Sequence, residues 1–306
     1  MTSRTSAPVI VGADGSAPSL RAVEYAAAEA ALRRRPLLIV HAYVWPPVAL
    51  PFSPGVAASA DTSLRRGSTE ILNDAAWHAA RVAPGVAGDV RTVLGDPAAV
   101  LLELSDQAEL LVLGTRGVGG FAGMMLGSVA AHTAAHARCP VMLVRGGRTD
   151  GPVVVGVDGS PGSSAALDFA ADEADRRGAR LVALHAWNTT STTELNDTLP
   201  MTYESWDSLE EHRRVLAEAL AGIAERHPDL AVQREVRHGT ARQLLTDLSG
   251  DAQLVVVGSR GHGGFAGLLL GSVSQHLIYR AGCPVAVVRP VPAARRHPLD
   301  RSGHAA

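Results

Sequence analysis

The chain has 306 residues, of which 46% are hydrophobic and 19% charged, with a formal net charge of -2. This length accommodates two domains of ordinary size and the apolar fraction supplies a substantial core. The charge balance gives no basic field for nucleic acid, no run of about 18 apolar residues marks a membrane span, and the N-terminus lacks the apolar stretch of a secretory signal, so a cytoplasmic location is the default expectation.

Taken in order, Pro8–Ala13 is a short β-branched run that predicts a buried strand, and Asp14-Gly15-Ser16 turns the chain. Ser16 or Ser19 is placed to cap an alanine-rich helix over about 20–34, with Leu20, Val23 and Ala27 on its core face. A strand follows at Leu37–Tyr43. The segment 44–61 is too proline-rich for a regular element, and a second helix is expected over 62–81. A strand at Val86–Val93, a helix from Gly95-Asp96-Pro97 to about Gln107, and a strand at Leu110–Leu113 come next. A glycine-rich loop then leads to a helix over about 128–137 and a last strand at Pro140–Val144.

The whole pattern then repeats at a constant offset of 144 residues. VIVGADGS at Val9–Ser16 matches VVVGVDGS at Val153–Ser160, and LLIVHAY at Leu37–Tyr43 matches LVALHAW at Leu181–Trp187. The expected division is a first domain over 1–147 and a second over 148–290, with a polar, glycine-rich seam near Arg145–Pro152. The arm before Pro8 and the tail 291–306 have little to bury and are expected to be disordered. The long segments 44–61 and 188–205 differ most between the copies. Strands alternating with helices, and apolar on both faces, indicate a parallel sheet covered on both sides.

The closest internal match is ELLVLGTRGVGGFAGMMLGS at Glu109–Ser128 with QLVVVGSRGHGGFAGLLLGS at Gln253–Ser272. Gly114, Gly117, Gly127 and Ser128 recur as Gly258, Gly261, Gly271 and Ser272. A glycine loop that leaves a strand and opens a helix is an anion cradle, because unpaired amides and the positive end of the helix dipole face it. Val129 and Val273 add a first-turn amide, and Arg116 and Arg260 a charge within the loop. All 28 basic residues are arginine. A P-loop needs its lysine, so any phosphate here is held by amides, hydroxyls and arginine.

Asp14 and Asp158, next to Gly12 and Gly156 at the strand ends, are candidates for ribose hydroxyls or, through water, a magnesium ion. Asp-Gly-Ser is also a turn sequence in which the carboxylate serves its own backbone. The backbone of Ala42 and Ala186 is the candidate for an adenine edge. The preceding His41 and His185 read as histidines packed at a strand end with one hydrogen bond. His262 stands where the first loop has Val118. Cys139 and Cys283, each in Cys-Pro-Val, read as small apolar side chains starting a buried strand. No H-E-x-x-H or C-x-x-C motif occurs, and two thiols alone do not make a metal site.

The VIVGADGS opening, the paired G-x2-G-x9-G-S loops and the Cys-Pro-Val strand resemble the universal stress protein family over about 8–145 and 152–290, in its tandem-domain form. The resemblance implies two Rossmann-like α/β domains of the adenine nucleotide alpha hydrolase-like type, each with strand order 3-2-1-4-5. It implies ATP as ligand, with magnesium as an option. Asp14 and Asp158 would lie at the ribose, Ala42 and Ala186 at the adenine, and the glycines, Ser128, Val129, Ser272 and Val273 along the triphosphate. It further implies pairing of the last strands of the two halves, with pairing of two chains left open. The implied role is a nucleotide-dependent regulator of stress or dormancy that acts through binding. A slow ATPase is the alternative, and an electron-transfer or nucleotidyl-transfer relative is a third reading.

Overall fold

A computed structural model of the chain describes residues 7–44, 54–117, 126–146, 148–188, 204–262 and 269–290. The arm, the tail and parts of both long segments lie outside them. The first half runs β1 (Val9–Gly12), α1 (Ala17–Arg33), β2 (Leu37–Tyr43), α2 (Pro54–Val82), β3 (Gly88–Leu94), α3 (Pro97–Leu104), β4 (Leu110–Gly114), α4 (Ser128–His136) and β5 (Val141–Val144). The second runs β6 (Val153–Gly156), α5 (Pro161–Arg177), β7 (Leu181–Trp187), α6 (Glu204–Leu220), α7 (Ile223–Arg226), β8 (Val232–His238), α8 (Ala241–Leu248), β9 (Leu254–Gly258), α9 (Ser272–Arg280) and β10 (Val285–Val288).

Local chemistry sets the helix starts. Ser16 caps α1 by accepting from the Ser19 amide at 3.3 Å, and Ser160 caps α5 through Ser163 at 3.2 Å. Asp96 does the same for α3 through Ala99 at 3.0 Å, and in all three a proline occupies the first turn, where its missing N–H costs nothing. The segment 44–61 needs correction: α2 begins at Pro54, so residues 54–61 are helical. Proline counts against a helix interior but fits its first turn. In the second half the matching helix is broken at Ala221–Gly222, which separates α6 from α7.

The ten strands form one sheet in the order β3-β2-β1-β4-β5-β10-β9-β6-β7-β8. Within each half the order is the expected 3-2-1-4-5 and all pairings are parallel. The halves join where β5 pairs β10 antiparallel, with Leu143 opposite Val285, Met142 opposite Ala286 and Val141 opposite Val287. Met142 and Ala286 are equivalent positions of the repeat, so a pseudo-twofold axis passes through this pair. Alternate strand residues feed two cores. Val9, Val11, Met142 and Val144 pack beneath α1, α2, α5 and α6, while Ile10, Leu111, Val141 and Leu143 pack beneath α3, α4, α8 and α9. Both cores contain residues of both halves.

On the first of these faces α1 and α5 meet across the axis and bury four charges. Glu29 and Arg33 lie opposite Glu173 and Arg177, which are their own repeat equivalents. Each arginine bonds both glutamates: Arg33 reaches Glu29 at 3.2 Å and also Glu173, and Arg177 reaches Glu173 and Glu29. Arg33 also stacks over Phe169 at 5.4 Å, and Arg177 reaches the hydroxyl of Tyr25, the equivalent of Phe169. Glu173 is wholly buried and Arg33 is 3% exposed. Burial, then the neighbouring Glu173 charge, pushes the Glu29 carboxyl up; the two arginines act against this. Such a cluster is tolerated only when every charge has its partner. Glu173→Ala leaves the two buried guanidiniums sharing Glu29, with Arg33 keeping a longer contact of 3.4 Å to the partly buried Glu109, and chemical denaturation is expected to show a loss of about 3–5 kcal/mol.

Candidate functional site

Each half carries a cavity at the carboxyl ends of its first and fourth strands, where the strand order reverses and open α/β sheets place ligands. The first encloses about 550 Å³ and the second about 180 Å³. All nine candidate residues of the first half line its cavity, on three elements: Gly12 and Asp14 at the end of β1, Ala42 on β2, and Gly114, Arg116, Gly117, Gly127, Ser128 and Val129 from β4 to α4. The nine of the second half do the same, with Gly156 and Asp158 after β6, Ala186 on β7, and Gly258, Arg260, Gly261, Gly271, Ser272 and Val273 from β9 to α9.

The aspartates hold the turn and face the cavity at once. Asp14 accepts from the Ser16 amide at 3.0 Å, and Asp158 from the Ser160 amide at 3.0 Å. The other oxygen of Asp158 accepts from the amide of His262 at 3.0 Å, tying the turn to the glycine loop. Burial pushes the Asp158 carboxyl up, but hydrogen bonds from Ser160, His262 and Ser163 outweigh it, and its pKa lies below the ordinary value.

The glycines divide by purpose. A side chain at Gly114 would stand 2.7 Å from the carbonyl oxygen of Pro18, and one at Gly258 2.7 Å from that of Gly162, so these two let α1 and α5 approach the strand ends. A Cβ at Gly117 or Gly261 would overlap the carboxylate of Asp14 or Asp158. Gly127 and Gly271 differ. Their φ angles of -75 and -71 suit any residue, and among the described residues an added Cβ would approach nothing closer than 3.7 Å and 3.4 Å. Packing among the described residues therefore gives no reason for glycine at the N-caps of α4 and α9. Among the described residues neither helix has a side-chain cap, which leaves the first-turn amides open to an outside acceptor.

The histidines at the strand ends are structural, as read from the sequence. His41 is buried with Nδ1 2.7 Å from the Ala13 carbonyl, and His185 has Nδ1 2.8 Å from that of Val157. With Nδ1–H donating there, Nε2 of His185 accepts from Nδ1 of His212 at 2.9 Å. Cys139 and Cys283 are free and buried, and burial pushes both thiols up to about 12. Among the described residues no group of three or more histidine, cysteine or acidic side chains could hold a metal. Sequence reasoning missed the apolar wall of each cavity, made by Val40, Leu101 and Leu113 in the first and by Leu184, Leu245 and Val257 in the second. These recur at the repeat offset with apolar character, which is the signal that could have found them. It also missed Tyr279, which lines the first cavity from the other half.

The sequence profile of the universal stress protein family matches residues 6–145 and 151–289. A universal stress protein of Mycolicibacterium smegmatis is 38% identical over 305 residues, covering 94% of this chain and 99% of the relative. One from Mycobacterium tuberculosis is 40% identical over 294 residues, covering 92% and 96%. The chain belongs to the universal stress protein family, with two copies of the family domain in tandem. A universal stress protein from Archaeoglobus fulgidus shares its fold at 19% identity and a TM-score of 0.66, over 93% of this chain and 99% of that one.

The bonds to Asp158 give the pH dependence a sign. Its folded pKa lies below that of the unfolded chain, so its stabilisation is complete above the unfolded carboxylate value of about 4 and is lost as pH falls through the folded value. Asp158→Asn lacks this component: urea titrations should show lower stability at neutral pH and a shallower decline on acidification than in the unmodified chain.

Proposed function

We propose that this universal stress protein binds ATP in both halves and acts through binding, its nucleotide state setting which partners it meets in a stress or dormancy response. The observation that carries this reading is the pair of helix N-termini at Gly127 and Gly271, which among the described residues have no side-chain cap and keep glycine although there is room for a side chain. Space for a phosphate explains that choice, and with no lysine in the chain, backbone amides, hydroxyls and Arg116 or Arg260 are the available donors. The proposed contacts follow the cavity lining. Phosphates lie on Gly127, Ser128 and Val129 beside Gly114 and Gly117, ribose lies near Asp14 and Gly12, and adenine lies against Ala42 and its apolar wall. Gly271, Ser272, Val273, Gly258, Gly261, Asp158, Gly156 and Ala186 do the same in the second half.

A magnesium ion, where it accompanies ATP, would be met through water. Binding rather than turnover is favoured because the described lining of each cavity offers one carboxylate, and that of Asp158 is already engaged by amides. The proposed domains are 1–147 and 148–290 with a separate tail at 291–306, and the proposed setting is the cytoplasm, as a monomer or a pair of chains. Among the described residues no helix is long and apolar enough to cross a membrane.

Gly127→Ala and Gly271→Ala test the reading. At a helix N-cap the change costs on the order of 1 kcal/mol or less, so melting should shift little while the methyl intrudes on the cradle. Calorimetric titration should show about two ATP per unmodified chain, a loss of one binding step in each single variant, and none in the double variant. Unchanged ATP binding in the folded double variant would overturn the site.

A further inference from the structure

The two cavities differ at a point that the repeat does not foretell. The first is lined by Tyr279, which belongs to α9 of the second half; every described residue lining the second cavity comes from the second half itself. The repeat equivalent of Tyr279 is Ala135, a buried methyl with no polar group to offer.

The placement of Tyr279 is built. At the start of α9 the Gly271 amide donates to the Ser259 carbonyl at 2.7 Å, and Ser274 Oγ donates to the Gly271 carbonyl at 2.9 Å. At its end Arg145, the residue after β5, crosses from the first half and donates to the carbonyls of Ile278, Tyr279 at 2.9 Å and Ala281 at 3.3 Å. These are carbonyls that a helix end leaves without intrahelical partners. Arg145 is half-buried, and burial followed by the nearby charge of Arg116 lowers its pKa, so the two guanidiniums are neighbours. Arg116 in turn marks the phosphate end of the cavity, its Cα lying 3.7 Å from where a Cβ of Gly127 would stand. The equivalent of Arg145 is Arg289, which instead donates within its own half to the Leu269 carbonyl at 3.4 Å and keeps Nε without a partner among the described residues. The asymmetry thus involves both members of the pair, the arginine that crosses and the side chain it positions.

We propose that Tyr279 is a ligand-binding residue of the first site, contributed by the second half, whose phenol donates to the outer phosphates of the bound nucleotide and makes this site the tighter of the two and selective for the longer phosphate chain. This rests on the nucleotide reading given above and assigns unequal roles to the two sites. A hydroxyl donating to an ionised phosphate is a charge-assisted bond. Its loss weakens binding by about tenfold or more.

The test is calorimetric titration of the full chain and of Tyr279→Phe, each with ATP and with adenosine monophosphate. Tyr279→Phe keeps the ring and its packing, so its melting temperature should match that of the unmodified chain. The expected result is that the tighter ATP step weakens about tenfold while the weaker step and both monophosphate affinities stay within twofold. Unchanged ATP affinity in Tyr279→Phe overturns the assignment, and so does an equal loss for ATP and the monophosphate, which marks a general packing role. If the unmodified chain binds ATP and Tyr279→Phe binds it equally well, this inference alone fails. If the unmodified chain takes up neither nucleotide, the reading beneath it fails as well.

Discussion

The antiparallel pairing of β5 with β10 is the constraint on which the rest of this molecule depends. It turns two five-stranded sheets into one and brings equivalent residues face to face at an axis through Met142 and Ala286. It also closes α1 against α5, where four charges are buried in mutual contact. Burying two carboxylates and two guanidiniums is costly unless each is paired. The repeat makes the pairing self-consistent, because each half presents one glutamate and one arginine a turn apart on the same helix. The same pairing carries Arg145 to the end of α9, and so brings a side chain of the second half into the first cavity.

Much of this was legible in the sequence because it rests on local pattern. The inner strands are short apolar runs buried on both faces, the edge strands β3 and β8 are more exposed, and the 144-residue offset pairs each strand with its copy. The strand order came from the family resemblance, and the sheet has it in each half. All eighteen candidate residues line the cavities because strand ends and the loops after them are fixed by the topology. The start of α2 was less legible, since proline is forbidden in a helix interior but welcome in its first turn. The charged quartet was present as Glu29-x3-Arg33 and Glu173-x3-Arg177, a spacing that reads equally well as a solvated helix face; only the contact of α1 with α5 makes it a core feature. Tyr279 was beyond reach, because nothing in a repeat announces where its two copies stop being equivalent.

The glycine loops show how one motif serves several ends. Gly114 and Gly258 admit a neighbouring helix, Gly117 and Gly261 admit an aspartate, and Gly127 and Gly271 make room for no other described part of the protein. Counting all six as phosphate glycines would conflate packing with binding. The aspartates likewise do structural and surface duty together: the Asx turn that orders the strand-to-helix corner also fixes a carboxylate at the cavity edge. With amides as the principal donors, the affinity proposed for phosphate is a property of backbone geometry, and the side chains around it are left to set selectivity between the halves.

The central claim is that the amides at the starts of α4 and α9 seat the phosphates of a nucleotide. A crystal structure of the chain grown with ATP tests it most directly. The account predicts nucleotide density in both halves, with phosphates on residues 127–129 and 271–273 and the base beside Ala42 and Ala186. ATP bound elsewhere on the chain, with both cradles holding only water, would contradict it.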